Sequence, residues 1–125
     1  MWEILIVALG GGIGAVSRYL TSNWAIARLG TDFPYGTLIV NIVGCFIIGL
    51  FMALAVDRLN ISPYWRLFVT VGFLGGLTTF SSFSYETLNL LENSMLLPAF
   101  YNIGLNLFGG LGAAWLGVGL VKFIS

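Results

Sequence analysis

Gly72-Phe73-Leu74-Gly75-Gly76-Leu77-Thr78-Thr79-Phe80-Ser81-Ser82-Phe83-Ser84 sets glycines, clustered hydroxyls and closely spaced phenylalanines inside a segment otherwise apolar enough to cross a bilayer. Unwound backbone at membrane depth is tolerated only where protein buries it or where it lines a watery cavity. An interruption of this kind marks a candidate ion site.

The surrounding chain has 125 residues, of which 58% are hydrophobic and only 8% charged. Its mean hydropathy is +0.98. A soluble domain carries about 25% charged residues, so this chain cannot cover a water-exposed surface and reads as an all-α integral membrane protein. The length fits one domain, residues 1–125. Net charge is zero and the Lys and Arg residues are scattered, which leaves no basic patch for nucleic acid. There is no His, the usual general base and commonest metal ligand. The single cysteine, Cys45, has no intrachain disulfide partner and reads as a small buried hydrophobe. The N-terminal segment lacks a basic start and a small-residue cleavage site, and it is expected to be a retained helix.

Apolar runs define four expected spans, Trp2 to Leu20, Tyr35 to Val56, Tyr64 to Leu91 and Pro98 to Ile124. Each is near the ~20 residues that a membrane helix needs. Pro34, Pro63 and Pro98 fall where segments begin, where a missing N–H costs little. Within the third span, Tyr64 to Leu74 is 11 residues and Phe80 to Leu91 is 12. At ~1.5 Å per residue these are roughly 16 and 18 Å, which places Gly75–Thr79 near the middle of a core about 30 Å thick. Two half-helices are expected to meet there. The first leaves carbonyls free and the second leaves N–H groups free. Free carbonyls suit a hard cation such as Na⁺, and Thr78 and Thr79 are candidate caps for the second half-helix.

An even number of spans puts both termini on one side. Arg58, Arg66 and Lys122 then lie on that side, against Arg28 and, if it clears the hydrocarbon, Arg18. Lys/Arg asymmetry normally fixes orientation, and a bias this small permits insertion both ways. Small residues recur at close-approach spacing in Gly10/Gly14, Gly109-Ala113-Gly117 and Asn102-Asn106-Gly110-Ala114. Such rows serve packing within a subunit, a seam between subunits, or both. Gly10-Gly11-Gly12-Ile13-Gly14-Ala15 matches a dinucleotide-binding fingerprint, but no alternating helix and strand pattern surrounds it, and the match is dismissed.

Several polar groups lie within or beside the spans. Phe80 and Phe83, three apart, share a helical face, and two ring edges turned toward a polar path would favour a small anion. Asn41 sits in an apolar helix, with two N–H donors suited either to an anion losing its water or to bonding between helices. Ser81 adjoins the phenylalanines, and Asn102 and Asn106 form a polar stripe on the fourth span. Arg18 and Glu86 are the ionisable groups nearest the spans, with Glu86 about one turn after Phe83, facing a vestibule or pairing with a cation.

These residues resemble the Fluc (CrcB) fluoride channel family. The likeness runs through Gly12–Tyr19, Gly36–Gly44 and Gly72–Phe83, and is looser in the fourth span. The Gly-Gly-x-Thr-Thr-Phe-Ser-x-Phe core carries the most weight. The resemblance implies a homodimer of oppositely oriented subunits in the bacterial inner membrane, with a central structural Na⁺ and two fluoride pores. It maps Na⁺-coordinating carbonyls to Gly75 and Thr78, pore phenylalanines to Phe80 and Phe83, the pore amide to Asn41, and a neighbouring hydroxyl to Ser81. Arg18 matches an arginine near the aqueous vestibule. On the fourth span Gly110, Gly112 and Ala114 stand where relatives often carry hydroxyls, and Asn102 and Asn106 supply part of that track. The implied role is passive export of fluoride that enters as the weak acid HF.

Two other readings compete with a channel. A small multidrug exporter of similar size would want a carboxylate embedded in the first helix, where only Glu3 occurs, at the edge. A nonconducting membrane scaffold would use the same polar groups only to hold helices together.

Overall fold

The first helix, α1 (Trp2–Leu29), runs well past the expected boundary at Leu20. The polar triplet Thr21-Ser22-Asn23 reads as a loop, but tertiary packing overrides local propensity. Ala25 is buried, and a Cβ at Gly36 of the second helix would strike Ser22. The helix stops at Gly30, whose φ of +86° suits glycine, and the Gly30 N–H closes the last turn on the Ile26 carbonyl at 3.0 Å. One consequence is that Arg18 lies in the helix interior instead of at its end.

A computed structural model describes residues 1–57 and 59–124; Arg58, counted above in the charge balance, lies outside the described residues. After α1 come α2 (Tyr35–Asp57), α3 (63–77), α4 (Phe80–Glu92) and α5 (Leu96–Phe123). Among the described residues there is no strand. Within the described residues four stretches are long and apolar enough to cross a membrane: Trp2–Leu29, Tyr35–Val56, Pro63–Glu92 and Leu96–Phe123. Pro98 falls in the first turn of α5 and removes an N–H that would be unpaired there in any case.

The third stretch is the irregular one. It starts with Pro63–Arg66, where the Ser62 hydroxyl accepts from the Tyr64 N–H, and continues through wide π-helical turns over Leu67–Leu74. It returns to α-geometry at Gly75–Leu77. Gly75 has φ −62° and ψ −36°, so the glycine pair expected to unwind stays helical. The extended residues are Thr78 (φ −84°, ψ 156°) and Thr79 (φ −151°, ψ 124°). Of the two threonines, only Thr79 caps α4, its hydroxyl accepting from the Ser82 N–H at 3.2 Å. The Thr78 hydroxyl instead turns back to the Leu74 carbonyl at 2.9 Å.

Close backbone approach holds the helices together. α1 packs on α3 and α2 along α5. A Cβ at Gly14 would fall on the Phe73 carbonyl oxygen, and one at Gly10 would reach the Phe68 carbonyl. On the other seam, a Cβ at Gly117 would meet the Phe46 carbonyl and one at Gly49 the Ala114 carbonyl. These glycines therefore serve packing within the subunit. Val40, Leu74 and Leu77 form the buried centre, with Ile47, Val69 and Phe73 against it. Phe108, Leu111 and Trp115 point outward from α5, as a chain solvated by lipid allows.

Candidate functional site

The Thr78–Thr79 interruption leaves backbone groups without helical partners, and side chains from two other helices answer some of them. From α2, Asn41 grips both backbone groups of one residue: its Oδ1 accepts from the Thr79 N–H at 2.9 Å, and its Nδ2 donates to the Thr79 carbonyl at 3.1 Å. From α1, the Arg18 Nε donates to the Gly76 carbonyl at 3.1 Å. A Cβ at Gly44 would collide with the Thr78 side chain, so α2 can lie this close only with glycine there.

The caps decide which carbonyls stay available. The Thr79 N–H is the i+4 donor that a continuous helix would offer to Gly75, and it is spent on Asn41. The Ser82 N–H, which would serve Thr78, is spent on the Thr79 hydroxyl. Gly76 is taken by Arg18. The carbonyls of Gly75 and Thr78 are thereby deprived of their helical donors. Hard oxygen atoms of this kind fit Na⁺, and the donor set is compatible with such an ion. The groups of His, Cys, Asp and Glu that hold transition metals are absent among the described residues.

Asn41 is also tied to α5. Its Nδ2 donates to the Asn106 Oδ1 at 2.8 Å. The Asn106 Nδ2 bonds the Asn102 carbonyl and Oδ1 at 2.9 and 3.0 Å, and the Asn102 Nδ2 bonds the Thr87 hydroxyl at 2.9 Å. Thr87 donates to the Phe83 carbonyl at 2.7 Å. An amide nitrogen has two hydrogens, and both of Asn41's are committed. In this conformation Asn41 presents no free donor to an anion.

Phe80 and Phe83 lie on the first turn of α4 with ring centroids 5.7 Å apart and planes at 48°. Phe80 is 79% exposed, so its ring meets little of its own chain. The Ser81 hydroxyl stands 3.3 Å from that of Thr79. A cavity of about 600 Å³ opens here, lined among others by Asn41, Thr78, Thr79, Phe80, Phe83 and Asn106. Glu86 is half-buried, and its Oε1 has no hydrogen-bond partner among the described residues. Cys45 is a half-buried free thiol close against Gly110.

The structure thus gathers Asn41, Gly75, Thr78, Phe80, Ser81, Phe83 and Asn106 around one interruption and brings Arg18 to the same turn. Asn102 lies behind them, wholly buried. Thr87 joins this set without any motif that marks it. The only signal in the sequence is its spacing of four residues from Phe83, which lets a helical hydroxyl reach back to that carbonyl.

Comparison with known proteins gives a consistent answer. The family described as "CrcB-like protein, Camphor Resistance (CrcB)" matches residues 5–118. A protein from Sulfurihydrogenibium sp. (strain YO3AOP1) is 45% identical over 124 residues, covering 99% of this chain and 100% of its own length. One from Geotalea uraniireducens (strain Rf4) is 47% identical over 122 residues, 98% of each. A third, from Acidobacterium capsulatum, is 46% identical over 116 residues, 93% of each. All three carry the name "Fluoride-specific ion channel FluC".

Proposed function

The chain belongs to the CrcB family, as a multi-pass bacterial membrane protein, and from that premise we propose that it is a fluoride-selective passive channel that exports fluoride down its electrochemical gradient. The observation that carries this reading is the Thr78–Thr79 interruption with the Phe80–Phe83 pair on the turn that follows it.

Fluoride is small and strongly hydrated, so its path must replace water by positive partial charges at short range. The edges of the Phe80 and Phe83 rings and the Ser81 hydroxyl supply them. Asn41 lines the same cavity and acts chiefly by holding the turn, since its donors are already engaged. Arg18 and Glu86 belong to the approaches and polar track, with Asn102 and Asn106 bracing α4 from α5.

The site is incomplete in one chain. Phe80 is mostly uncovered and the cavity beside it is open to the outside of the subunit. A second copy inserted in the opposite orientation supplies the missing wall, which the small Lys/Arg bias permits. A two-fold axis in the membrane plane then brings two mid-membrane interruptions together and creates two pores. The Gly75 and Thr78 carbonyls of both copies would hold a structural Na⁺, whose charge would join the subunits. Finding a C-terminal tag on one side of the membrane only would exclude the antiparallel arrangement.

The deciding experiment is fluoride efflux from liposomes containing the purified protein, with chloride as the control. Rapid fluoride loss with negligible chloride loss is expected. Absence of fluoride flux would overturn the reading in favour of a nonconducting scaffold, and proton-coupled movement of a drug would favour an exporter.

A further inference from the structure

The hydrogen bonds that leave Asn41 toward α5 form a directed ladder. Each rung donates in the same sense: Asn41 to Asn106 at 2.8 Å, Asn106 to Asn102 at 3.0 Å, Asn102 to Thr87 at 2.9 Å, and Thr87 to the Phe83 carbonyl at 2.7 Å. Both ends terminate on backbone whose polarity cannot reverse. At one end is the Thr79 backbone, held through its N–H and its carbonyl. At the other is the Phe83 carbonyl. These two points bracket the single turn that bears Phe80 and Phe83.

The Thr87 hydroxyl sets the Asn102 rung, and fixed backbone groups set the other two. The hydroxyl has one hydrogen, and that hydrogen is spent on Phe83. Thr87 therefore offers Asn102 only lone pairs, which turns the Asn102 NH₂ toward Thr87 and its oxygen toward Asn106. That oxygen receives the Asn106 NH₂, which leaves the Asn106 oxygen facing Asn41. Reversing any one amide would set donor against donor or oxygen against oxygen. Asn102 is 0% exposed and Thr87 8%, so water is poorly placed to repair such a fault, and partly satisfied buried networks are costly.

We propose that Thr87 and Asn102 are positioning residues for the permeation turn: acting from outside the pathway, they fix the rotation of Phe80 and Phe83 by pinning both ends of the turn to α5. Thr87 orients the Asn102 amide in the one sense that agrees with the orientation the Asn102 carbonyl gives Asn106 and the Thr79 backbone gives Asn41. This rests on the channel reading above, because the function being positioned is fluoride passage.

The test compares the wild-type protein with Thr87→Val, which keeps the branched shape but lacks the hydroxyl, and Thr87→Ser, which keeps the hydroxyl. All three are reconstituted in liposomes, and fluoride efflux, chloride efflux and subunit assembly are measured. Thr87→Val is expected to lose about tenfold in fluoride flux, the scale set by one lost hydrogen bond, with a lower fluoride-to-chloride ratio. Thr87→Ser is expected to restore both to within about twofold. A folded Thr87→Val with wild-type flux and ratio overturns the proposal, as does equal impairment of the Val and Ser variants. If Thr87→Val does not fold, Thr87→Ala takes its place under the same criteria. Failure of both to fold while Thr87→Ser folds also overturns it, because the hydroxyl is then structural only. A wild-type protein that passes no fluoride overturns the channel reading itself, and the positioning role with it.

Discussion

Asn41 substitutes for a stretch of helix: its side-chain amide pairs with both backbone groups of Thr79, the N–H and the carbonyl, at 2.9 and 3.1 Å. A primary amide is the side-chain group that can serve one residue in this way, offering an acceptor to its N–H and a donor to its carbonyl. The clamp lets the chain become extended at Thr78 and Thr79 without abandoning the Thr79 N–H and carbonyl in an apolar setting.

Replacing Asn41 by Leu should therefore destabilise the fold by about 1–3 kcal/mol for each buried group left unpaired. Asn41→Asp should also fail to support flux, because a carboxylate keeps the acceptor for Thr79 N–H but sets an oxygen against the Thr79 carbonyl and the Asn106 Oδ1. Thermal unfolding in detergent with liposome efflux checks both. A Leu variant as stable as the wild type would show that the clamp carries no weight.

Arg18 reaches the same turn through a single directed bond from Nε to the Gly76 carbonyl. Hydrogen bonds from charged groups contribute about 1.5–3 kcal/mol, and lysine keeps the charge but has no nitrogen at that position. Arg18→Lys should lower the melting temperature and the fluoride flux. Unchanged values for Lys, with loss in Arg18→Gln, would mean that charge matters and the directed bond does not.

Phe80→Ile and Phe83→Ile retain apolar bulk but remove the ring edge. Each should reduce fluoride flux by at least about tenfold, the equivalent of ~1.4 kcal/mol, while assembly measured by size-exclusion chromatography stays intact. Normal flux in both variants would refute a role for the rings in permeation.

The carbonyls of Gly75 and Thr78 lose their helical donors to the caps at Thr79 and Ser82. Exchange of Na⁺ for a bulky organic cation during purification and assay should weaken subunit association or conduction, read by chromatography and efflux. Indifference to that exchange would argue against a structural cation at these oxygens.

Gly14 faces the Phe73 carbonyl so closely that a Cβ cannot fit without moving backbone, whereas Gly12 faces open space in the subunit. Gly14→Ala should cost about 1–3 kcal/mol or prevent folding, as overpacked interiors do. Gly12→Ala should be close to neutral. Equal melting temperatures for the two variants would contradict the described contact between α1 and α3.

The membrane class and the number of spans were legible because they depend on the length and continuity of apolar runs. The interruption was legible to within one turn, because glycines and adjacent hydroxyls are local signals. Its placement within that turn was not. Gly75 and Gly76 can adopt unwound geometry but do not need to, and the residues that leave the helix are those whose peptide groups Asn41 and the Thr79 cap can satisfy. The end of α1 was misread for a related reason, as polar residues that look like a loop are held helical by Ala25 and Gly36.

The sequence by itself determined that this chain lives in a membrane, where its helices begin to approach one another, and roughly where one of them is interrupted. Only the tertiary structure decided the partners: Asn41 with Thr79, 38 residues away, Arg18 with Gly76, 58 residues away, and Asn102 with Thr87. Hydropathy and spacing constrain a residue's depth and face along its own helix. A hydrogen bond between helices also requires their relative rotation and register, which arise only when glycine seams bring the backbones together.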